Sequence, residues 1–164
     1  MHLAPKLSVV RFAKLQPGDL FIYARRPTNC LAFRGVFKQD GGDDIVVLLG
    51  PGLPPDDRLR VMTPRYETVI AIGKEFTIRL PVLPDAWSVD MPPPEVPCLA
   101  VVENRAFFRG NIERSLKDFR PCWIDASSGI LQYQPPAGIT AYALKWEIVL
   151  KDTLLENETV VGLP

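Results

Sequence analysis

Histidine is almost absent from this chain of 164 residues; the sole copy is His2. A Ser-His or Cys-His nucleophile pair needs a positioned imidazole, so that route to catalysis is excluded within the chain. Zinc sites that require two or more histidines are excluded with it. Cysteine is scarce as well. Cys30, Cys98 and Cys122 are odd in number, widely spaced and without a CxxC pair, so they make no disulfide framework. They read as buried free thiols at strand starts, small hydrophobes in effect, which predicts a reducing, cytoplasmic setting. Net charge is missing too: 19 basic residues stand against 19 acidic ones. Nucleic-acid binders mostly carry a basic excess, so the balance counts against that class. No apolar run approaches the length of a membrane span. The apolar start of the chain is interrupted by Lys6, Arg11 and Lys14, unlike a signal peptide. No membrane partner is expected. No glycine pattern matches a phosphate loop: Gly50-Pro51-Gly52 runs into further prolines and leaves no helix N-terminus to hold a phosphate. No cofactor, catalytic residue or metal ligand set is therefore expected.

What is present is proline, 17 copies, clustered in GPGLPPDD, LPVLPDAW and MPPPEVP. Proline lacks the donor that a central strand needs and cannot sit inside a helix. Many short strands joined by ordered loops fit this distribution. A chain of this length buries roughly 70% of the surface its unfolded form exposes, enough for one core without a disulfide or metal. The predicted fold is mainly β. Antiparallel meanders would form a small barrel or two packed sheets, with an SH3-like barrel over residues 15–80. One domain over 1–164 is expected, with sub-lobes 1–80 and 98–164 joined by the proline-rich segment 81–97 as the alternative.

Taken in order, Leu7 to Phe12 reads as an opening strand, and Pro17-Gly18 as a tight turn. Leu20 to Ala24, Leu31 to Lys38 and Ile45 to Leu49 read as a three-stranded meander, broken by RRPTN and by QDGGDD. Leu59 to Met62 is a short strand. Glu67 to Ile72 and Glu75 to Leu80 read as a hairpin joined at Gly73-Lys74, with Phe76, Ile78 and Leu80 inward and Thr77 and Arg79 outward. In the segment 81–97, Trp87 anchors a loop over the core, since burying so large a side chain is worth ~2 kcal/mol or more. Cys98 to Val102 is again a strand. Phe108, Ile112, Leu116 and Phe119 then recur at four, four and three, which predicts one short helix over residues 112–119, capped by Asn111 and ended by Pro121. Cys122 to Asp125 and Ile130 to Gln134 follow as paired strands around Ser127-Ser128-Gly129. Ala143 to Leu150 and Thr159 to Gly162 close the chain. The resemblance of CLAFRG at Cys30 to AFFRG at Ala106 is five residues long, its flanks do not follow it, and it reads as chance.

Candidate functional residues fall into three groups. Arg25, Arg26, Arg34 and Lys38, with Tyr23 for stacking, form a patch suited to an anionic ligand or a phosphate backbone. Trp87, Met91 and Val96 form an apolar surface suited to a second subunit. Asp19, the loop aspartates Asp40, Asp43 and Asp44, and the pair Asp56-Asp57 are the remaining options for a metal-dependent hydrolase, although QDGGDD offers too few oxygens for a calcium loop. The leading expectation is a non-enzymatic binding or structural module. It would self-associate as a homodimer, with an unidentified protein or anionic ligand as partner. A nucleic-acid-associated barrel and a metal-dependent enzyme are the alternatives.

Overall fold

The computed structural model describes residues 8–25, 28–38, 44–49, 59–64, 67–94, 96–115, 118–151 and 158–162. The described residues form strands and short 3-10 turns, with no α-helix. The first half holds β1 (Ser8–Arg11), β2 (Leu20–Arg25), β3 (Thr28–Phe37), β4 (Asp44–Leu49), β5 (Arg60–Met62), β6 (Thr68–Gly73) and β7 (Phe76–Arg79). The second holds β8 (Trp87–Ser88), β9 (Leu99–Val102), β10 (Arg105–Ser115), β11 (Asp118–Asp125), β12 (Ile130–Gln132), β13 (Ala141–Ala143), β14 (Glu147–Lys151) and β15 (Glu158–Gly162). No described helix is long and apolar enough to cross a membrane.

Six strands close into a barrel in the order β3, β4, β5, β10, β11, β12 and back to β3. Four of these contacts are antiparallel, while β5–β10 and β12–β3 are parallel seams. Each half of the chain contributes three strands, so residues 15–80 do not close a barrel by themselves. β2, β6 and β1 extend the sheet from β3, and β9, β13 and β8 extend it from β10. A second sheet, β15–β14–β7, lies apart from the first.

The two halves follow one plan. Leu20 pairs with Phe33 and Arg34 with Val46 in the first half, as Leu99 pairs with Phe108 and Arg109 with Trp123 in the second. Val47 opposes Val61 as Ile124 opposes Leu131. The match extends to single hydrogen bonds. The Val36 amide donates to Gly129 O at 2.8 Å, and the Asn111 amide to Leu59 O at 3.1 Å. The Leu59 amide donates to Leu48 O and the Gly129 amide to Asp125 O, both at 2.8 Å. Leu59 and Gly129 even share a left-handed backbone, with φ of 53° and 70°. The halves are thus two copies of one unit, and each copy inserts its last short strand beside the other copy's long strand. CLAFRG and AFFRG occupy equivalent stretches of β3 and β10.

The shared Phe-Arg-Gly triplet has a physical reason at each position. Phe33 and Phe108 meet edge to face inside the barrel, their centroids 5.6 Å apart, an arrangement that favours aromatic pairs. Arg34 and Arg109 point to the outer face. Gly35 and Gly110 stand where the parallel seams press closest. A Cβ on Gly35 would lie 2.5 Å from Leu131 Cδ1, and one on Gly110 would lie 2.7 Å from Leu59 O. Glycine in a strand commonly marks such an approach. The main core fills the barrel with Leu20, Phe33, Val47, Val61, Leu99, Phe108, Ile124 and Leu131, and Trp146 and Ile148 cap it. Trp146 packs on Phe108 at 5.1 Å between centroids.

Two further expectations fail here. The helix over 112–119 is strand instead: Ser115 ends β10 and Asp118 begins β11, with residues 116 and 117 outside the described set. A spacing of four is even, so Phe108 and Ile112 share a strand face as readily as a helix face. Pro121 does not end a helix; it lies within β11, where β12 pairs only with Trp123 and Ile124 and the missing donor faces no neighbour. The hairpin joined at Gly73-Lys74 is also absent. β6 pairs with β1 and β2, while β7 crosses to β14. Gly73, at φ 92°, turns the chain between the sheets.

Candidate binding cleft

Between the two sheets lies a cleft of about 630 Å³. Ligand sites commonly span 300–1,000 Å³. One wall is β7 with its neighbours, through Lys74, Phe76, Thr77, Ile78 and Leu80. The facing wall is the β9–β10 hairpin, from Val101 to Ala106, and Ala126, Ser127 and Gly18 close the end. The hairpin turns on Glu103-Asn104, with Glu103 held at φ 52°. Such a backbone is uncommon for a residue with a side chain and is found in turns and at ligand sites.

The hairpin is braced from below. Asp125 is buried and forms an ion pair with Arg105. Its carboxylate also accepts from the Ser127 amide at 2.9 Å and the Ser127 hydroxyl at 2.7 Å. Burial alone would raise the pKa of Asp125, but the Ser127 and Arg105 donors outweigh it and hold the carboxyl below its ordinary value. Arg105 also lies 4.8 Å from the Phe107 ring centroid. The less exposed lining residues of both walls, Phe76, Ile78, Leu80, Val101, Ala106 and Ala126, are all apolar and together make the floor. The rim is polar, through Lys74, Thr77, Glu103 and Asn104. Ser127 donates to a carboxylate and so faces no base. No group of three His, Cys, Asp or Glu residues able to hold a metal occurs among the described residues. An apolar floor with a polar rim suits binding.

The residues singled out in the sequence lie elsewhere. Arg34 donates to Asp44 Oδ1 at 2.6 Å and to the carbonyls of Phe12 and Ala13 at 3.5 and 3.4 Å. Its guanidinium thus fastens the turn after β1 to the barrel. Tyr23 is buried in a second cluster with Phe12 and Phe21. Lys38 is exposed. The Arg25 side chain and the whole of Arg26 lie outside the described residues, as do Asp40, Asp43, Asp56, Asp57 and His2. Asp19 accepts from the Gln16 amide at 2.7 Å and so closes its own turn. Trp87 packs on the barrel core, and its indole N–H donates to Pro81 O at 2.9 Å. Val96 is half-buried, and Met91 is 53% exposed. Beneath this segment, Arg109 is 5% exposed and donates to Pro92 O at 2.6 Å. It occupies the position of Arg34, but the residue equivalent to Asp44 is Pro121, and no carboxylate pairs with it among the described residues. The cleft residues themselves went unrecognised. Glu103-Asn104 between LAVV and RAFF is a turn signal, but no local pattern places β7 across from it. Comparison with protein-family models, curated proteins and solved structures finds no match to this chain.

Proposed function

We propose that this chain is a non-enzymatic binding module and that the cleft between β7 and the β9–β10 hairpin receives its ligand. The observation that carries this is the form of the cleft: an apolar floor, a polar rim, and a hairpin wall locked by the buried Asp125. Rigid support of this kind lowers the ordering cost of binding. The ligand is a segment of another polypeptide, since the cleft is lined by apolar side chains from both sheets and by single polar ones, and no metal-binding group occurs among the described residues. The three free, buried cysteines support a reducing compartment such as the cytoplasm.

The test is selection of random ten-residue peptides displayed on phage against the immobilised protein. Selection is repeated on Thr77→Trp, which fills the cleft from an exposed position. Peptides that bind the parent and not the plugged variant are expected. Peptides that bind both equally would place the ligand site elsewhere.

Self-association has an observation of its own. Val82, Leu83, Val89 and Met91 project from the proline-rich segment, Val82 being 96% exposed. Scattered exposed apolar residues are ordinary, but four on one segment suit a subunit contact. Sedimentation velocity on the parent and on Val89→Asp checks it: a dimer that dissociates in the variant supports the contact, and a monomeric parent removes it.

A further inference from the structure

Among the described strands β7 lies at an edge of its sheet. It pairs with β14 through Phe76–Leu150, Thr77–Val149, Ile78–Ile148 and Arg79–Glu147. No described strand occupies its other side. Successive strand residues point to opposite faces, and Phe76 and Ile78 pack inward while Thr77 is exposed. A cleft lined by Phe76, Thr77 and Ile78 together therefore meets β7 along its edge and not on one face. Along that edge no described strand takes up the alternate backbone N–H and C=O groups, the Phe76 amide donating instead to Lys74 O at 2.9 Å. Exposed edges of this kind pair readily with an added chain, and natural proteins cover or blunt them.

We infer that the occupant of the cleft is an extended segment of a partner protein, added as a strand to the open edge of β7. This rests on the proposed binding function and specifies its mode. Strand addition matches the chemistry of the wall, because an extended chain brings a line of donors and acceptors at the spacing of the β7 backbone. Four residues of β7 span roughly 13 Å, so about four ligand residues take part. Alternate ligand side chains would face Val101, Ala106 and Ala126 on the floor, and the others would face water. Selectivity comes from the rim. Arg105 is neutralised by Asp125, whereas Lys74 and Glu103 have no ion-pair partner among the described residues. An acidic ligand residue toward Lys74 and a basic one toward Glu103 complete both charges.

The test uses the full chain and one synthetic peptide taken from the phage selection. Single N-methyl groups are placed on successive backbone amides of the peptide, and affinity is read by fluorescence anisotropy. Strand addition predicts parity: methylation at every second amide weakens binding at least tenfold, and methylation between them leaves it unchanged. Amide hydrogen exchange within Phe76–Arg79 should slow on binding. In addition, Lys74→Glu should weaken binding of a peptide with an acidic residue at the matching position, and a basic replacement in the peptide should restore it. A peptide excluded by Thr77→Trp but indifferent to methylation parity, with β7 exchange unaltered, overturns strand addition and leaves the cleft as the site. Failure to select any peptide dependent on the cleft overturns both.

Discussion

Alanine at Gly110 should be among the more damaging single-methyl changes available in this protein. The added Cβ would lie 2.7 Å from Leu59 O, 3.0 Å from Val61 Cγ2 and 3.2 Å from Ile124 Cδ1. The first is backbone, so relief requires β5 to move away from β10. That movement stretches the Asn111 amide bond to Leu59 O, which contributes about 1 kcal/mol. Overpacking adds roughly 1–3 kcal/mol, and the stiffer unfolded chain returns ~0.5 kcal/mol. The net loss is about 1.5–3.5 kcal/mol. The equivalent Gly35→Ala makes a closer contact, 2.5 Å, but with Leu131 Cδ1, the tip of a side chain that can rotate. Its loss should be about 1 kcal/mol and should shrink further with Leu131→Val, which removes that carbon. Urea unfolding followed by tryptophan fluorescence measures all three variants. A Gly110→Ala protein within 0.5 kcal/mol of the parent, or one more stable than Gly35→Ala, would refute the close backbone approach at the β5–β10 seam.

Three further outcomes are expected. Burial pushes the Cys122 thiol up to about 12, above its ordinary 9.0. Its contribution to stability is thus complete below pH 9 and lost between about 9 and 12, and the stability difference between the parent and Cys122→Ala should decline across that window and stay flat below it. Asp125 is held below its ordinary 3.8, so its contribution is present above that pH and disappears as pH falls through the lower folded value; Asp125→Asn should flatten the acid limb of a stability–pH curve. Finally, Pro121→Asp restores to Arg109 the carboxylate that Asp44 gives Arg34, and a double-mutant cycle with Arg109→Met should show coupling of about 1 kcal/mol, where zero coupling would refute the equivalence.

Individual strands were legible because alternation and turn residues act locally. β7 shows this best: Phe76 and Ile78 lie inward and Thr77 and Arg79 outward, as its pattern implies. Partners were not legible. Gly73-Lys74 looks like a hairpin turn, yet β7 pairs with a strand some seventy positions later, and no local signal encodes that choice. The helix expected over 112–119 came from a spacing of four that serves both periods. The repeat was visible only as Phe-Arg-Gly, because most equivalent positions conserve a role and not a residue, Val46 answering to Trp123 and Ile45 to Cys122. The cleft eluded the sequence for the same reason as the pairing, since its two walls come from strands that meet only through the fold.

The parallel seams bear on how the chain is made. β5 needs β10, and Phe37 in β3 must wait for Leu131. A ribosome adds roughly 5–20 residues per second, so the N-terminal half emerges on the order of ten seconds before its seam can form. During that interval a nascent β3 presents an uncovered margin. Two chains on one polysome could satisfy each other's margins, first half to first half, by the same geometry that later joins the two halves of one molecule. Translation speed across residues 60–130 would then influence how much of the product emerges as single closed barrels.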